Sequence, residues 1–188
     1  MRVLNKFRVT EIDGKRFANR SGDLNNIHLD DIIGYNSIYG EKICHGCNIL
    51  IKTLDLIYKK EKNITKFNHI NVKFIKYFKY KKNIFVIKKD NKYIISQEKI
   101  NKSKLFIEKK DLLISKELNL KKFKFYKLSK IKKVNNKLKL LKKLIEYVSY
   151  YVGMINPGKN SIINSIKINY FFKEIKYKNG IYSRFKKS

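Results

Sequence analysis

The strongest periodic pattern in the chain is helical, and it lies in the segment ICHGCNILIKTLDLIYKK (43–60). Apolar residues recur there at the spacing of one helix face, at positions 47, 50, 51, 54 and 57. Lys59 and Lys60 suit the negative end of a helix dipole, and the polar run that follows them ends the pattern. The sequence therefore predicts a mostly buried helix over residues 45–60.

Strand-like segments flank this helix. FRVTEID (7–13) alternates apolar and polar residues, and the polar segment 17–31 after it is predicted to be loop with about one turn of helix. Four segments rich in β-branched and aromatic residues follow the helix: NVKFIKYF (71–78), NIFVIKKD (83–90), KYIISQEK (92–99) and KLFIEKKD (104–111). This order favours an α+β fold with a sheet wrapped round the helix, and argues against a parallel βαβ repeat.

The second half of the chain repeats the order of a helix followed by strands. After a Lys-rich linker at 111–135, the segment KLKLLKKLIEYVSYYVG (137–153) predicts an amphipathic helix with Gly153 as its C-cap. Two strands, 161–172 and 174–185, are predicted after it. We therefore divide the chain into units at 1–115 and 116–188, and the second unit has too few strands to be a complete copy of the first.

Composition bounds the class of protein. The 188 residues are 43% hydrophobic, which is enough for a substantial core. No apolar run approaches the roughly 18 residues that span a bilayer, and the N-terminus has no signal-peptide core, so we expect a soluble cytoplasmic protein.

The formal charge of +30 suggests a nucleic-acid partner, but the kind of residue argues otherwise. The positive charge is nearly all Lys, with Arg only at positions 2, 8, 16, 20 and 184. Lys, Asn and Ile, which have AT-rich codons, are abundant together, whereas phosphate recognition tends to recruit Arg. Base composition is the favoured explanation, and anion binding stays an alternative.

Polar residues at fixed spacings mark the segment 17–46: Ser21-Gly22-Asp23, Asn25, His28, Asp30 and, further on, His45-Gly46. The segment resembles the signature of MaoC-like dehydratases and R-specific enoyl-CoA hydratases, except that Asn26 stands where that family usually has Pro. The resemblance implies a hot-dog fold, an antiparallel sheet wrapped round a central helix. The segment LIEYVSYYVGMINPGKNSI (144–162) looks like part of double-hot-dog relatives, which implies a second, degenerate and incomplete hot-dog repeat that helps to wall an acyl tunnel.

The resemblance also implies an activity, that of a hydro-lyase acting on acyl thioesters of fatty acid metabolism. Hydration of a 2-enoyl thioester needs one group to take a proton from water and another to deliver one to the α-carbon, for which we assign Asp23 and His28. Gly46 at the helix start offers an N–H to the enolate oxygen. Asn25, Ser21 and His45 are assigned to substrate binding. No cofactor or metal is implied; the substrate carrier is coenzyme A or acyl carrier protein, and we expect a homodimer.

Other functions remain open. A hot-dog thioesterase would not need the Asp-x-Asn-x-x-His loop, and a non-catalytic acyl-binding relative or a basic nucleic-acid-binding protein are further alternatives. Cys44 and Cys47 form a C-x-x-C at a helix start, which would suit redox chemistry or a metal. No second cysteine pair or histidine pair accompanies them, so two small core residues are the favoured interpretation.

Overall fold

A computed structural model describes residues 2–61, 69–90, 92–97, 103–109, 137–158 and 161–169 of the chain. These residues form four α-helices and six strands, besides a short 3-10 helix at Asn26–His28 and a π-helical turn. In chain order they are β1 (Arg2–Phe7), α1 (Glu11–Ser21), α2 (Asp31–Tyr35), α3 (Gly46–Glu61), β2 (His69–Phe74), β3 (Ile84–Lys89), β4 (Lys92–Gln97), β5 (Ser103–Lys109), α4 (Lys137–Tyr150) and β6 (Ser165–Asn169).

The six strands form one sheet in the order β1-β3-β4-β5-β2-β6. Every neighbouring pair is antiparallel. Strands β3 and β4 are joined by a short turn in which Asp90 has a φ of +50°, a conformation that Asp tolerates better than most residues. The four strands predicted between residues 71 and 111 are therefore confirmed, with NVKFIKYF shorter than predicted because β2 ends at Phe74.

Helix α3 supplies the centre of the core, as the periodicity predicted. Eight of its residues are buried: Cys47, Asn48, Ile49, Leu50, Ile51, Thr53, Leu54 and Ile57. Six of them, all except Asn48 and Thr53, pack in one cluster with side chains of the sheet, among them Ile70, Val72, Val86, Ile95 and Ile107. A helix that is apolar on most sides must be covered by other elements. The antiparallel sheet covers α3 in this way, and the hot-dog fold is confirmed. None of the described helices has the length and apolar character needed to cross a membrane.

The strand predicted over residues 7–13 is wrong in its position. Strand β1 ends at Phe7, and helix α1 begins at Glu11. Thr10 and Asp13 form a reciprocal capping box, which satisfies backbone N–H groups at the helix start. The local cap therefore overrides the short alternation of FRVTEID. Residues 17–21, which belong to the segment predicted as loop with about one turn of helix, form the end of α1.

The described part of the second half packs onto the first half. Helix α4 lies against α1 and α3. Strand β6 pairs with β2 and so extends the sheet of the first half. The linker at 111–135, the strand at 174–185 and the boundary at 115/116 fall outside the described residues, and the second hot-dog repeat is not confirmed.

Gly153 is not the C-cap that the sequence predicted. The helix continues past Tyr150 into a π-helical turn over Tyr151–Ile155, and the cap residue is Asn156. Gly153 lies buried inside this turn, beside the loop that follows α1. Its lack of a side chain matters for the site described next.

Candidate active site

The polar loop of residues 22–30 is set by the end of helix α1. Gly22 ends the helix with a φ of +83°, and its N–H donates to the carbonyl of Ala18. The Ser21 hydroxyl donates to the carbonyl of Phe17 and accepts the N–H of Asp23 at 3.1 Å. These bonds fix the direction in which the chain leaves the helix. Ser21 thus holds the loop, and its assigned contact with substrate stays a prediction.

Asn25 anchors the same loop to the second half of the chain. Its side chain is fully buried, accepts the N–H of Ile27 and donates to the carbonyl of Ser161 at 3.2 Å. Tyr80 adds another tie, because its hydroxyl donates to the carbonyl of His28. Since both polar ends of the Asn25 amide bond to protein atoms, its predicted role in substrate binding is untested and its observed contacts are those of a loop anchor.

The rings of His28 and His45 lie next to each other in the site. Their ring centroids are 3.9 Å apart, and both side chains are buried. Nδ1 of His28 lies 2.9 Å from the carbonyl oxygen of Ile43, and Nε2 of His45 lies 3.2 Å from the carbonyl oxygen of Asp23. A carbonyl only accepts, so we assign each of these nitrogens a hydrogen. In the neutral rings the lone pairs are then on His28 Nε2 and His45 Nδ1.

Burial keeps both imidazoles neutral. Loss of solvation lowers the pKa of His28, although the Ile43 carbonyl and the charge of Asp23 oppose the shift. It lowers the pKa of His45 further, because a charge on His28 would add repulsion. The two rings therefore act near neutral pH as hydrogen-bond acceptors on one side and donors on the other.

Asp23 completes the group. Its carboxylate is 4% exposed, so a polar partner is needed, and Oδ2 accepts the hydroxyl of Ser149 at 2.6 Å. Oδ1 accepts the N–H of Asn25 at 3.3 Å. Asp23, His28 and His45 each bring one oxygen or nitrogen to within 4.8 Å of the others, a separation that a single water can bridge.

Gly46 begins helix α3, as predicted. The N–H groups of Asn48 and Ile49 bond to the carbonyl of His45, whereas the N–H of Gly46 belongs to the first turn, which has no intrahelical acceptor. A β-carbon at position 46 would lie 2.8 Å from the ring of Phe74. The absence of a side chain therefore lets Phe74 approach the start of the helix.

These groups share one cavity of about 520 Å³. Asp23, His28, His45 and Gly46 line it, together with apolar side chains from the end of β2 onward, such as Phe74 and Phe78. The second half contributes Ser149, Val152, Gly153 and residues 161–164 to the wall. A polar end within a largely apolar cavity suits a ligand with a reactive head and an acyl chain.

A metal is a second use that the three groups Asp23, His28 and His45 would allow by residue type. The two rings are tilted by 34°, and the carbonyls of Ile43 and Asp23 each occupy one ring nitrogen, which leaves one nitrogen of each ring for a ligand. The two cysteines do not favour redox chemistry: both thiols are buried, they form no disulfide, and burial raises the pKa of Cys47 to about 12.

Sequence reasoning missed two residues of the site, Ser149 and Gly153. Ser149 bonds to the Asp23 carboxylate, and a β-carbon at Gly153 would overlap that carboxylate. Both belong to the helix predicted for the second half, on a face that the apolar periodicity did not distinguish. The only signal in the sequence was a small residue at each position. Ser149 lies one helical turn after Ile145, and Gly153 lies two turns after it.

Comparison with known proteins places the first half in a family. The family model for the MaoC-like domain matches residues 2–108, more than half of the chain. Comparison with curated proteins gives no match.

Several solved structures are similar to the chain. The R-hydratase PhaJ1 from Pseudomonas aeruginosa is 18% identical, with a TM-score of 0.43, over 64% of this chain and 88% of that one. The (R)-hydratase from A. caviae is 16% identical, with a TM-score of 0.44, over 58% and 94%. The MaoC-like dehydratase from Rhodospirillum rubrum is 13% identical, with a TM-score of 0.46, over 61% and 90%.

Proposed function

The chain belongs to the family of MaoC-like domains, and from this premise we propose that it is a hydro-lyase acting on acyl thioesters. In this proposal it adds water to a 2-enoyl thioester and, in reverse, dehydrates the 3-hydroxyacyl thioester. The observation that carries the proposal is the convergence of Asp23, His28 and the N-terminus of α3 on one cavity. Each offers what one step of the reaction needs.

The water is the first requirement. Asp23 and His28 are close enough to hold one water between them. As the water oxygen bonds to C3, the Asp23 carboxylate takes a proton from it, and the π electrons of the double bond move toward the thioester carbonyl. C2 then takes the proton back from the carboxyl group, so atoms and charge balance over the cycle.

His28 directs this water. Burial lowers the pKa of His28, so the ring is neutral at rest, and its Nδ1–H is occupied by the Ile43 carbonyl. The remaining Nε2 lone pair is suited to accept a hydrogen bond from the water and aim its oxygen at C3. This differs from the role expected from sequence, in which a second group delivers the proton, because a neutral ring bonded in this way has no hydrogen on Nε2 to give.

The enolate oxygen is the second requirement. Gly46 begins a sixteen-residue helix and lines the cavity. A free N–H at the positive end of a helix dipole stabilises developing negative charge, and removing one such donor in other enzymes costs on the order of 100-fold or more in kcat. Coenzyme A or acyl carrier protein remains our proposal for the thiol carrier.

The competing functions differ in what they ask of Asp23 and His28. A hot-dog thioesterase would direct water to the carbonyl carbon, and a binding-only relative would need no proton transfer at all. Neither explains a buried carboxylate and a neutral imidazole that face the same cavity beside the N-terminus of a helix. Hydration is therefore the function that this arrangement supports best.

The test is hydration of crotonyl-CoA, followed by loss of the enoyl absorbance. We expect Asp23→Asn and His28→Ala each to lower kcat/KM by at least about 100-fold. Release of free thiol in the same assay reports thioesterase activity instead. Turnover that is equal in wild type and in both variants would overturn the proposal.

Cysteine variants supply the matched control. Cys44→Ser and Cys47→Ala change residues that flank His45-Gly46 and lie in the same cavity wall, yet neither thiol has a part in the proposed reaction. We expect both variants to keep most of the activity. If they abolish turnover while the Asp23 and His28 variants do not, the redox or metal alternative replaces the hydratase.

A further inference from the structure

We propose that Ser149 is a positioning residue for Asp23, so that the segment beyond the MaoC-like domain completes the active site of the same chain. The inference rests on the proposed function for its kinetic test and on geometry for its basis. Ser149 lies 126 residues after Asp23 and well beyond residue 108, where the family match ends. The site is thus built from two distant parts of the chain.

The contact itself is short and enclosed. The Ser149 hydroxyl donates to Oδ2 of Asp23 at 2.6 Å, and the two side chains are 3% and 4% exposed. Among the described residues, the only other donor to this carboxylate is the N–H of Asn25, at 3.3 Å. A longer bond from the neighbouring loop holds the carboxylate less firmly than a short charge-assisted bond. Ser149 therefore sets which way the carboxylate faces.

Gly153 supports the same arrangement from one turn further along the chain. A β-carbon there would overlap Oδ1 and crowd the carboxyl carbon of Asp23 at 2.8 Å. The π-helical turn over Tyr151–Ile155 brings this bare backbone against the carboxylate, and turns of this kind are frequent at functional sites. Ser149 attracts one oxygen, and Gly153 makes room for the other.

Helix α4 is held firmly enough to position a catalytic group. Arg20 pairs with Glu146, and Lys142 donates to both carboxylate oxygens of Asp55 at 3.0 and 2.9 Å. These ion pairs attach α4 to α1 and α3, which carry the rest of the site. Beyond α4, the Asn25 amide bonds to the carbonyl of Ser161, and β6 pairs with β2. A supporting residue is useful only on such a fixed element.

Cys47 contacts Ser149, the residue that donates to Asp23. Its thiol is in hydrogen-bond contact with the Ser149 side chain, and burial keeps it protonated, with a pKa raised to about 12. A thiol is a weak donor, so its contribution to the orientation of Ser149 is small. This agrees with the activity expected of Cys47→Ala.

The experiment compares two substitutions at Ser149 in the full-length chain. Ser149→Ala removes the hydroxyl, and we expect kcat to fall about tenfold or more while KM stays within about twofold, because a misdirected base slows the reaction without loosening substrate. Ser149→Thr keeps a hydroxyl and should recover most of kcat. Gly153→Ala should reproduce the loss by pushing the carboxylate aside.

Two further measurements separate positioning from general packing. Ile145→Val, one turn earlier on α4 and also buried, removes a methyl group without touching Asp23, and should leave kcat near the wild-type value. In the Asp23→Asn background, Ser149→Ala should add little to the loss, since it acts through the carboxylate. Full additivity, or equal losses in Ile145→Val and Ser149→Ala, would overturn the positioning role.

Crystal structures of wild type and Ser149→Ala give a readout that does not depend on turnover. We expect the Asp23 carboxylate to turn away from its wild-type direction in the variant. A displaced carboxylate in a chain that hydrates no enoyl thioester would overturn the proposed function and leave the positioning role standing. An active wild type whose Ser149→Ala variant keeps both its kcat and its carboxylate orientation would overturn the positioning role alone.

Discussion

Burial of polar side chains determines the chemistry of individual residues in this site. Asp23, Asn25, His28, His45 and Ser149 are all buried. Buried polar groups need partners: each of the five makes at least one hydrogen bond within the site, and all but one of their fully buried side-chain polar atoms have a partner. The exception is Nδ1 of His45, which has no partner among the described residues. A buried acceptor left open beside the cavity is the kind of group that substrate or water would satisfy.

The two depressed histidine pKa values predict how stability depends on pH. Above about pH 6.5, the ordinary value, His28 and His45 are neutral in both the folded and unfolded chain. Below about pH 6.5 both histidines bind protons in the unfolded chain but stay neutral in the folded chain. The free energy of unfolding therefore falls as the pH decreases toward the pKa values of the folded chain. Each histidine contributes a slope of up to about 1.4 kcal/mol per pH unit.

Urea unfolding between pH 7.5 and 5 measures this slope. His45→Gln removes the group with the larger downward shift, and we expect its slope to be flatter than that of wild type by up to about 1.4 kcal/mol per pH unit. Identical slopes in the two proteins would contradict the buried neutral state of His45.

At the scale of elements, helix α1 sets the register of the catalytic loop. It begins at the capping box of Thr10 and Asp13 and ends at Gly22, one residue before Asp23. The sequence carried both signals, a Thr-x-x-Asp and a Gly, and the alternation of residues 7–13 concealed the first. A capping box satisfies backbone donors wherever it forms, whereas a short alternation becomes a strand only if a neighbouring strand accepts it.

Thr10→Ala tests the cap. Thr10 accepts the N–H of Asp13 at 3.1 Å, and loss of such a cap lowers the free energy of unfolding by about 1 kcal/mol. Lys15→Ala, at an exposed position of the same helix, is the matched control and should change it by less than about 0.5 kcal/mol. Urea denaturation of both variants measures the difference, and equal effects would show that the cap does not stabilise α1.

At the scale of the whole molecule, lysine side chains form ion pairs with several of the few acidic residues. Glu11 pairs with Lys42 and Lys81, which lower its pKa to about 2. Similar pairs join Asp55 to Lys142 and Glu61 to Lys88. With 45 basic and 15 acidic residues, most Lys side chains have no carboxylate to pair with. The expected homodimer concerns a second copy and stays a prediction.

This charge predicts weak binding to any polyanion. We expect fluorescence anisotropy to detect association with a labelled DNA duplex at about 50 mM salt and to lose it by about 200 mM, as for purely electrostatic contact. Heparin should behave in the same way. Sequence-tolerant DNA binding that persists at physiological salt would instead support the nucleic-acid-binding alternative.

The accuracy of the predictions from sequence depended on how many residues carried each pattern. The long stripe of α3 and the β-branched segments after it predicted a buried helix and its sheet, because those patterns extend over many residues and only one arrangement covers them. The spaced polar residues of segment 17–46 pointed to Asp23, His28, His45 and Gly46, and all four line one cavity. Short elements such as 7–13 were misassigned, since few residues carry their signal.

The sequence by itself determined the family, the central helix and the local motif, all of which depend on residues near one another in the chain. Only the tertiary structure decided that Ser149 and Gly153 meet Asp23, that Asn25 is tied to Ser161, and that β6 joins the sheet of the first half. The physical reason is distance along the chain. Contacts between residues 92 to 136 positions apart follow from how whole elements pack, and no local pattern of hydrophobic or polar residues encodes them.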